Sequence, residues 1–183
     1  VLLLRVWGTK AVCIAGGGEP LLNENTPYLI DKLVQNNIDV GLITNGYYLN
    51  AQDIRLLKCK WIGISIDAGT KETFLKLKGV DVFDKILLNI NQLIKIRNSS
   101  GSKCEISYKY IIHPINAYEI YKAIQNAYEI GCDTFHARPG GDSWFELQKG
   151  QFTFNEDMIK AIPKYLEMGR EDYENENFKV YGV

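Results

Sequence analysis

The sequence predicts an α/β protein built on parallel strands. Short apolar segments typical of strands alternate with amphipathic segments typical of helices along most of the chain, and such alternation joins parallel strands through helical crossovers. Of the 183 residues, 46% are hydrophobic and 23% are charged, with a formal net charge of -1. This charge balance argues against nucleic acid or an anionic membrane surface as the main partner. No apolar run approaches the roughly 18 residues of a membrane span.

The strand candidates are short apolar runs that end in glycine or polar residues. They occupy residues 11–15, 40–44, 61–67, 105–112 and 134–138. These runs define five strand–helix steps, and the third step is the longest because it holds two helices. Parallel strands bind ligands at their carboxyl ends, so the residues that end each run are the first place to look for a site.

The helices are predicted from capping residues and from apolar spacing near 3.6 residues. Thr26 precedes a proline at a first helical position, Asn50 and Thr70 are candidate N-caps, and Asn116 with Glu119 has the spacing of a capping box. Gly131 is the candidate C-cap of the last of these helices. The predicted helices occupy residues 26–36, 50–57, 70–77, 82–97 and 116–131.

The pattern of strands and helices, together with the two ends of the chain, predicts the domain organisation. The rhythm of strands and helices stops after Gly141, so we expect one domain over residues 1–141 and a helical extension over residues 142–183 that links to a further C-terminal region. The chain opens inside the apolar run Val1-Leu2-Leu3-Leu4 and stops inside a strand-like segment. We therefore expect a piece of a longer protein.

The four cysteines do not predict a metal site. Cys13, Cys59, Cys104 and Cys132 are separated by 46, 45 and 28 residues, whereas metal sites bring two ligands within a few residues. Their low density also argues against a disulfide framework. We expect buried, reduced thiols in a cytoplasmic protein.

The most informative segment follows the first predicted strand and reads Gly16-Gly17-Gly18-Glu19-Pro20. Three glycines allow a ligand to approach the backbone closely. The carbonyl oxygens and the Glu19 carboxylate suit an ammonium group better than a phosphate, and the spacing differs from that of a dinucleotide site. The alternative is a tight turn that needs glycine for a positive φ.

Polar residues also end the other predicted strands. Taken singly, each is typical of a turn, a loop or an exposed surface. Taken together they predict a site at one edge of the sheet or barrel. These residues are Thr44, Asn45, Ser65, Asp67, Lys109, His113 and Arg138.

In this order and spacing, the segments resemble the radical S-adenosylmethionine (radical SAM) superfamily. Gly17-Gly18-Glu19-Pro20 is similar to the GGEP motif of that family, and Ser65-Ile66-Asp67-Ala68-Gly69-Thr70 to its fourth strand. The resemblance covers about residues 11–141 and implies strands two to six of a partial TIM-like (βα)6 barrel. The CxxxCxxC motif of the family is absent from this chain, which implies a 4Fe-4S cluster with its ligands outside it.

The resemblance also implies a set of cofactor-binding residues, whereas it identifies no catalytic residue. Gly17, Gly18 and Glu19 would accept hydrogen bonds from the ammonium of S-adenosyl-L-methionine, and Ser65 would lie near its carboxylate or ribose. Lys109 would offset the carboxylate charge. The implied set is Gly16, Gly17, Gly18, Glu19, Pro20, Thr44, Asn45, Ser65, Asp67, Lys109, Ile112 and His113 (both beside the adenine), and Arg138.

The implied function is that of a fragment of a radical SAM enzyme. The intact enzyme would cleave S-adenosyl-L-methionine reductively at the cluster and use the 5′-deoxyadenosyl radical to abstract a substrate hydrogen, with flavodoxin or ferredoxin as electron donor. The substrate would be a small molecule, a peptide or a protein, and the fragment alone would be inactive. Two alternatives stay open: another α/β-barrel lyase or aldolase that uses Lys109 as a Schiff-base residue beside Asp67, or a non-catalytic barrel domain.

Overall fold

A computed structural model describes residues 1–140 and 153–182 of the chain. The strands are β1 (Ala11–Ile14), β2 (Asp39–Thr44), β3 (Trp61–Ser65), β4 (Glu105–Ile112), β5 (Thr134–Pro139) and β6 (Lys179–Tyr181). The helices are α1 (Leu2–Val6), α2 (Thr26–Gln35), α3 (Lys71–Lys78), α4 (Phe83–Ser100), α5 (Ile120–Ile130) and α6 (Glu156–Tyr173). Short 3-10 turns occupy Pro20–Leu22, Leu56–Lys58 and Ala117–Glu119.

The six strands form one sheet in the order β1-β2-β3-β4-β5-β6. Parallel pairing joins β1 to β2, β2 to β3 and β5 to β6. Strands that are consecutive in the sequence are also neighbours in the sheet, and the helices lie in the segments that connect them. The predicted α/β class with parallel strands is therefore confirmed, and all five predicted strands are present within two residues of their expected ends.

Residue contacts divide the chain into two compact units. The first comprises residues 1–65 and 85–107, and the second comprises residues 66–84 and 108–183. Both have apolar cores in which branched aliphatic and aromatic side chains are almost fully buried. The first core includes Ile30, Leu33, Leu42, Ile62, Ile64 and Leu93, and the second includes Phe74, Tyr108, Tyr110, Ile120, Phe135 and Leu166.

The helix predictions succeed where the caps act locally. Thr70 accepts a hydrogen bond from the Thr73 amide at 3.3 Å and begins α3, and Gly131 ends α5 with φ +91°. The predicted helix over residues 50–57 is wrong. Asn50 instead accepts from the Gln52 amide in a two-residue turn, and only a 3-10 turn forms, at Leu56–Lys58.

The C-terminal part contains more than the predicted helical extension. Helix α6 lies in the second unit, and β6 adds a sixth strand beside β5 in parallel register. The predicted boundary between residues 141 and 142 lies outside the described residues and stays a prediction. Of the helices that the structure describes, none has the length and apolar character needed to cross a membrane.

Unfolding should become easier at alkaline pH because three buried acids must stay protonated in the folded chain. Burial raises the pKa of the Cys59 thiol and of the Tyr108 and Tyr110 hydroxyls, and Tyr108 also donates to the Ala68 carbonyl at 2.6 Å. In the unfolded chain the pKa is about 8.5 for a cysteine thiol and about 10 for a tyrosine hydroxyl. Their contribution is therefore complete below about pH 8 and is lost as the pH rises past those values.

Denaturant titrations between about pH 7 and pH 10.5 test this expectation. The free energy of unfolding should be level near neutrality and fall at the alkaline end. Cys59→Ala should reduce the loss of unfolding free energy that begins at the lowest pH, because the thiol has the lowest pKa of the three groups in the unfolded chain. An unfolding free energy that is unchanged at about pH 10.5 would contradict the assignment of these groups.

Candidate functional site

In the first unit, the carboxyl ends of β1, β2 and β3 surround one open cavity of about 290 Å³. This volume is close to the lower end of the range of about 300–1,000 Å³ for ligand pockets, so it suits part of a cofactor or a small ligand. Seven of the residues predicted from the sequence lie together in its lining, with Ala15 and Ile43 as apolar neighbours. The seven are Gly16, Gly18, Glu19, Pro20, Thr44, Asn45 and Ser65.

The Glu19 carboxylate is held in place by three donors of the first unit. Its Oε1 accepts from the Leu21 amide at 3.0 Å and from Thr44 Oγ1 at 2.6 Å. Its Oε2 accepts from the Asn45 amide at 2.6 Å. A carboxylate offers about four acceptor positions, so one position remains for an external donor. Glu19 thus ties the end of β1 to the end of β2 and still presents a negative charge to the cavity.

The glycines before Glu19 are not explained by the fold. None of Gly16, Gly17 and Gly18 adopts a positive φ, and a Cβ on any of them would meet no described atom within 4 Å. Gly46 is the opposite case, because its φ is +80° and a Cβ there would lie 2.8 Å from the Ile64 side chain. The turn that would need positive φ at the three glycines is therefore absent. Their open backbone is a cradle that side chains would fill.

The turn after β2 is fixed by side chains of the first unit. Thr44 is buried, and its Oγ1 accepts from the Gly46 amide at 3.1 Å while it donates to Glu19. Asn45 Oδ1 accepts from the Tyr47 amide at 2.9 Å. From α4, Asn89 Nδ2 donates to the carbonyls of Gly46 and Tyr47, both at 3.0 Å. Sequence reasoning missed Asn89 because its partners lie more than 40 residues away.

Ser65 is a second hydroxyl residue of the cavity wall, beside Thr44, and it ends β3. Its side chain is half-buried, and its Oγ has no hydrogen-bond partner among the residues that the structure describes. A hydroxyl in this state can donate to a bound ligand without breaking a bond within the protein. An acceptor, Glu19, and an available donor, Ser65, therefore line the same cavity.

In the second unit, Asp67 is a buried structural carboxylate. It has a positive φ of 60°, and its side chain is only 4% exposed. Its Oδ1 accepts from the Ile111 amide at 2.6 Å and its Oδ2 from Lys78 Nζ at 2.5 Å. Its backbone carbonyl accepts from Asn116 Nδ2 at 2.7 Å. These contacts hold the segment that follows β3.

The Asn116–Glu119 pair acts differently from the predicted capping box. Asn116 is fully buried, and its Oδ1 accepts from the His113 amide at 2.7 Å. The Glu119 carboxylate accepts from the amides of Gly69 and Thr70 and from the hydroxyls of Thr70 and Thr73, at 2.7–3.2 Å. Glu119 therefore supports the start of α3 rather than of its own helix. The spacing was recognisable in the sequence, whereas the partners were not.

The remaining predicted residues also belong to the second unit. Ile112 is only 1% exposed and its carbonyl accepts from the Gly140 amide at 3.0 Å, whereas His113 is half-buried. Lys109 Nζ lies 3.0 Å from His136 Nδ1, and Arg138 is exposed near the end of β5. Sequence reasoning missed His136, although its position two residues before Arg138 on a strand was a usable signal. That all the predicted residues serve one cofactor stays a prediction.

Within residues 1–140 and 153–182, no group of three His, Cys, Asp or Glu side chains is arranged to hold a metal ion. The predicted burial is confirmed for Cys59, Cys104 and Cys132 and is wrong for Cys13, which is exposed on β1; all four are free thiols. The cavity is lined by a backbone rich in acceptors, by the Glu19 carboxylate and by the hydroxyls of Thr44 and Ser65. It can bind an ammonium and a neighbouring carboxylate.

The radical SAM superfamily profile matches residues 2–143. The chain therefore belongs to the radical SAM superfamily, whose enzymes use S-adenosyl-L-methionine and a 4Fe-4S cluster. This assignment confirms the resemblance seen in the sequence. It favours radical SAM chemistry over an aldolase based on Lys109.

The chain is also similar in sequence to curated proteins named GTP 3′,8-cyclase. The chain is 28% identical over 158 residues to a probable GTP 3′,8-cyclase of Saccharolobus islandicus, covering 82% of this chain and 47% of that protein. It is 31% identical over 163 residues to the GTP 3′,8-cyclase of Aliarcobacter butzleri, covering 85% and 47%. The chain thus spans about half the length of the curated relatives it matches.

Solved structures share the fold. SuiB of Streptococcus suis bound to S-adenosylmethionine has a TM-score of 0.71 at 17% identity, covering 98% of this chain and 41% of SuiB. A domain of pyruvate-formate lyase-activating enzyme from Bacteroides vulgatus has a TM-score of 0.67 at 14% identity, covering 94% of this chain and 98% of that domain.

Proposed function

We propose that this chain forms the S-adenosyl-L-methionine-binding part of a radical SAM enzyme. The observation that carries the proposal is the cradle of Gly16, Gly17 and Gly18, whose glycines neither backbone conformation nor packing requires. A ligand that approaches the backbone explains them. The family assignment supports the identity of that ligand. When bound, S-adenosyl-L-methionine and a 4Fe-4S cluster held outside this chain supply the 5′-deoxyadenosyl radical that removes a substrate hydrogen.

The roles of the cavity residues follow from their hydrogen-bonding capacity. The free acceptor position on Glu19 and the glycine carbonyls bind the ammonium of the methionine part. Ser65 Oγ donates to its carboxylate. Thr44 and the Asn45 amide orient Glu19, because both donate to its carboxylate at 2.6 Å. The wall residues Ala15 and Ile43 exclude water from one side of the ligand.

The substrate and the electron donor belong to the intact protein. Relatives named GTP 3′,8-cyclase, and SuiB solved with its precursor peptide, support a small-molecule or peptide substrate. A flavodoxin or ferredoxin would supply the electron. The chain by itself holds no predicted cluster ligands, so we expect turnover only from a longer protein that contains them.

Replacing Ser65 by alanine should weaken S-adenosyl-L-methionine binding by about tenfold to a hundredfold. The reason is the loss of one hydrogen bond to a charged group, which is worth about 1.5–3 kcal/mol. Titration of the cofactor into the anaerobically reconstituted full-length protein measures the change. Ser99→Ala is the matched control, because Ser99 is an exposed residue of α4.

The cluster absorption should be the same in the wild type, the Ser65 variant and the control. Wild-type affinity in the Ser65 variant would remove Ser65 from the site. Absence of cofactor binding in the wild type, with the cluster intact, would overturn the proposed function itself.

A further inference from the structure

Helix α4 holds the turn at the end of β2, here called the 44–47 turn, with side chains on one of its faces. Asn89 Nδ2 donates to the carbonyls of Gly46 and Tyr47, both at 3.0 Å. One helical turn earlier, Lys85 Nζ lies 3.8 Å from the centroid of the Tyr47 ring, and residues four apart are neighbours on a helix surface. The turn is therefore fixed by α4 through both its backbone and a side chain.

The Asn89 amide nitrogen is fully used in this contact. An asparagine nitrogen has two donor hydrogens, and the carbonyls of Gly46 and Tyr47 take one each. Because a carbonyl can only accept, these two partners also determine which way the amide points. The nitrogen has no further donor for a ligand, so an effect of this donor on binding must pass through the turn.

The 44–47 turn orients the Glu19 carboxylate. The Asn45 amide donates to Glu19 Oε2 at 2.6 Å, and Thr44 Oγ1 donates to Glu19 Oε1 at 2.6 Å. Gly46 links these bonds to α4, because its carbonyl accepts from Asn89 and its amide donates to Thr44 Oγ1 at 3.1 Å. Two of the three donors described above for Glu19 therefore belong to the turn that Asn89 fixes.

We propose that Asn89 is a positioning residue of the cofactor site. It orders the 44–47 turn so that Glu19 already presents its remaining acceptor position before the ligand arrives. A site ordered in advance binds more tightly, because less conformational freedom is lost on binding. The inference rests on the proposed function only for the identity of the ligand as S-adenosyl-L-methionine.

Asn89→Ala should weaken S-adenosyl-L-methionine binding by about threefold to tenfold, because it removes two hydrogen bonds that order the turn. Binding of 5′-methylthioadenosine, which lacks the amino-acid part, should be unchanged. Both ligands are titrated into the anaerobically reconstituted full-length protein. Gln92→Ala is the matched control, because it removes an exposed amide from the same helix.

A double-mutant cycle with Glu19→Gln shows whether Asn89 acts through Glu19. In the Glu19→Gln background, the further effect of Asn89→Ala on S-adenosyl-L-methionine binding should fall below about twofold, because residues that act through one another are not additive. Effects that multiply in the double variant would mean that Asn89 acts independently of Glu19.

Amide hydrogen exchange tests the positioning without the cofactor. The amides of Asn45, Gly46 and Tyr47 donate to Glu19, Thr44 and Asn45 side chains. In the cofactor-free full-length protein, the segment that contains these amides should exchange faster in Asn89→Ala than in the wild type and the Gln92 control, because the turn opens more often. Exchange of the strand amides of β2 should be unchanged.

The outcomes separate this inference from the proposed function. Faster exchange of the turn together with a selective loss of S-adenosyl-L-methionine affinity supports the inference. Unchanged exchange, multiplying effects in the cycle, equal weakening of both ligands, or an Asn89→Ala protein that is unfolded in a thermal scan would each overturn it. If the wild type binds no S-adenosyl-L-methionine while the exchange responds as expected, the proposed function fails and the positioning of Glu19 by Asn89 stands.

Discussion

Glu19→Gln is expected to weaken S-adenosyl-L-methionine binding by about tenfold to a hundredfold, because it removes a charged acceptor. A glutamine amide nitrogen can only donate, so one side of the new side chain would face a donor: either the Asn45 amide, or the Leu21 amide with Thr44 Oγ1. Cofactor titration of the reconstituted full-length protein measures the effect. Glu24→Gln is the matched control, because Glu24 is exposed in the same connection between β1 and α2.

Two further measurements separate binding by Glu19 from its support of the turn. Thr44→Val keeps the shape of the side chain but removes one of the bonds that orient Glu19, so it should weaken binding less than Glu19→Gln does. The ligand 5′-methylthioadenosine lacks the amino-acid part and should bind the wild type and the Glu19 variant equally. Equal weakening for both ligands would mean that Glu19 only shapes the loop.

Asp67→Ala is expected to lower the free energy of unfolding by about 3 kcal/mol or more. The variant leaves the Ile111 amide without its acceptor and Lys78 without its buried partner, and an unsatisfied buried donor costs about 1–3 kcal/mol. Alanine also disfavours the left-handed backbone that Asp67 adopts, by roughly 1–2 kcal/mol. Denaturant titration at neutral pH measures the sum.

Asp67→Gly isolates the part due to the side chain, because glycine adopts positive φ without strain. This variant should be more stable than Asp67→Ala, although still less stable than the wild type. Asp81→Ala is the surface control, since Asp81 is 57% exposed in its ion pair with Lys71 and exposed pairs contribute at most about 1 kcal/mol. An Asp67→Ala protein as stable as this control would contradict the structural role.

The strands and most helices could be predicted because their signals are local. The apolar runs that became β1 to β5 and the cap of α3 at Thr70 depend on residues a few positions apart. The helix prediction that was wrong depended on a polar side chain that can hydrogen-bond to more than one backbone amide. Asn50 used a nearby amide to close a turn, and no helix followed.

The sequence predicted which residues form the candidate site, but it did not predict their hydrogen-bond partners. Gly16, Gly18, Glu19 and Ser65 were identified from order and spacing, and they do line one cavity. Which of them would be free to bind a ligand could not be predicted. Glu19 is largely occupied by donors of its own unit, whereas Ser65 Oγ has none among the described residues.

By itself, the sequence determined the class of fold, the positions of the strands along the chain and the family. Each of these depends on patterns of residues that are close together in the sequence. Only the tertiary structure decided the side-chain partners. Thr44 reaches Glu19 across 25 positions, Glu119 reaches Thr70 across 49, and Lys109 reaches His136 across 27. Such contacts depend on strand register and on how each unit packs. For Thr44, Lys109 and His136, which lie on strands, a shift of one residue would turn the side chain to the other face of the sheet.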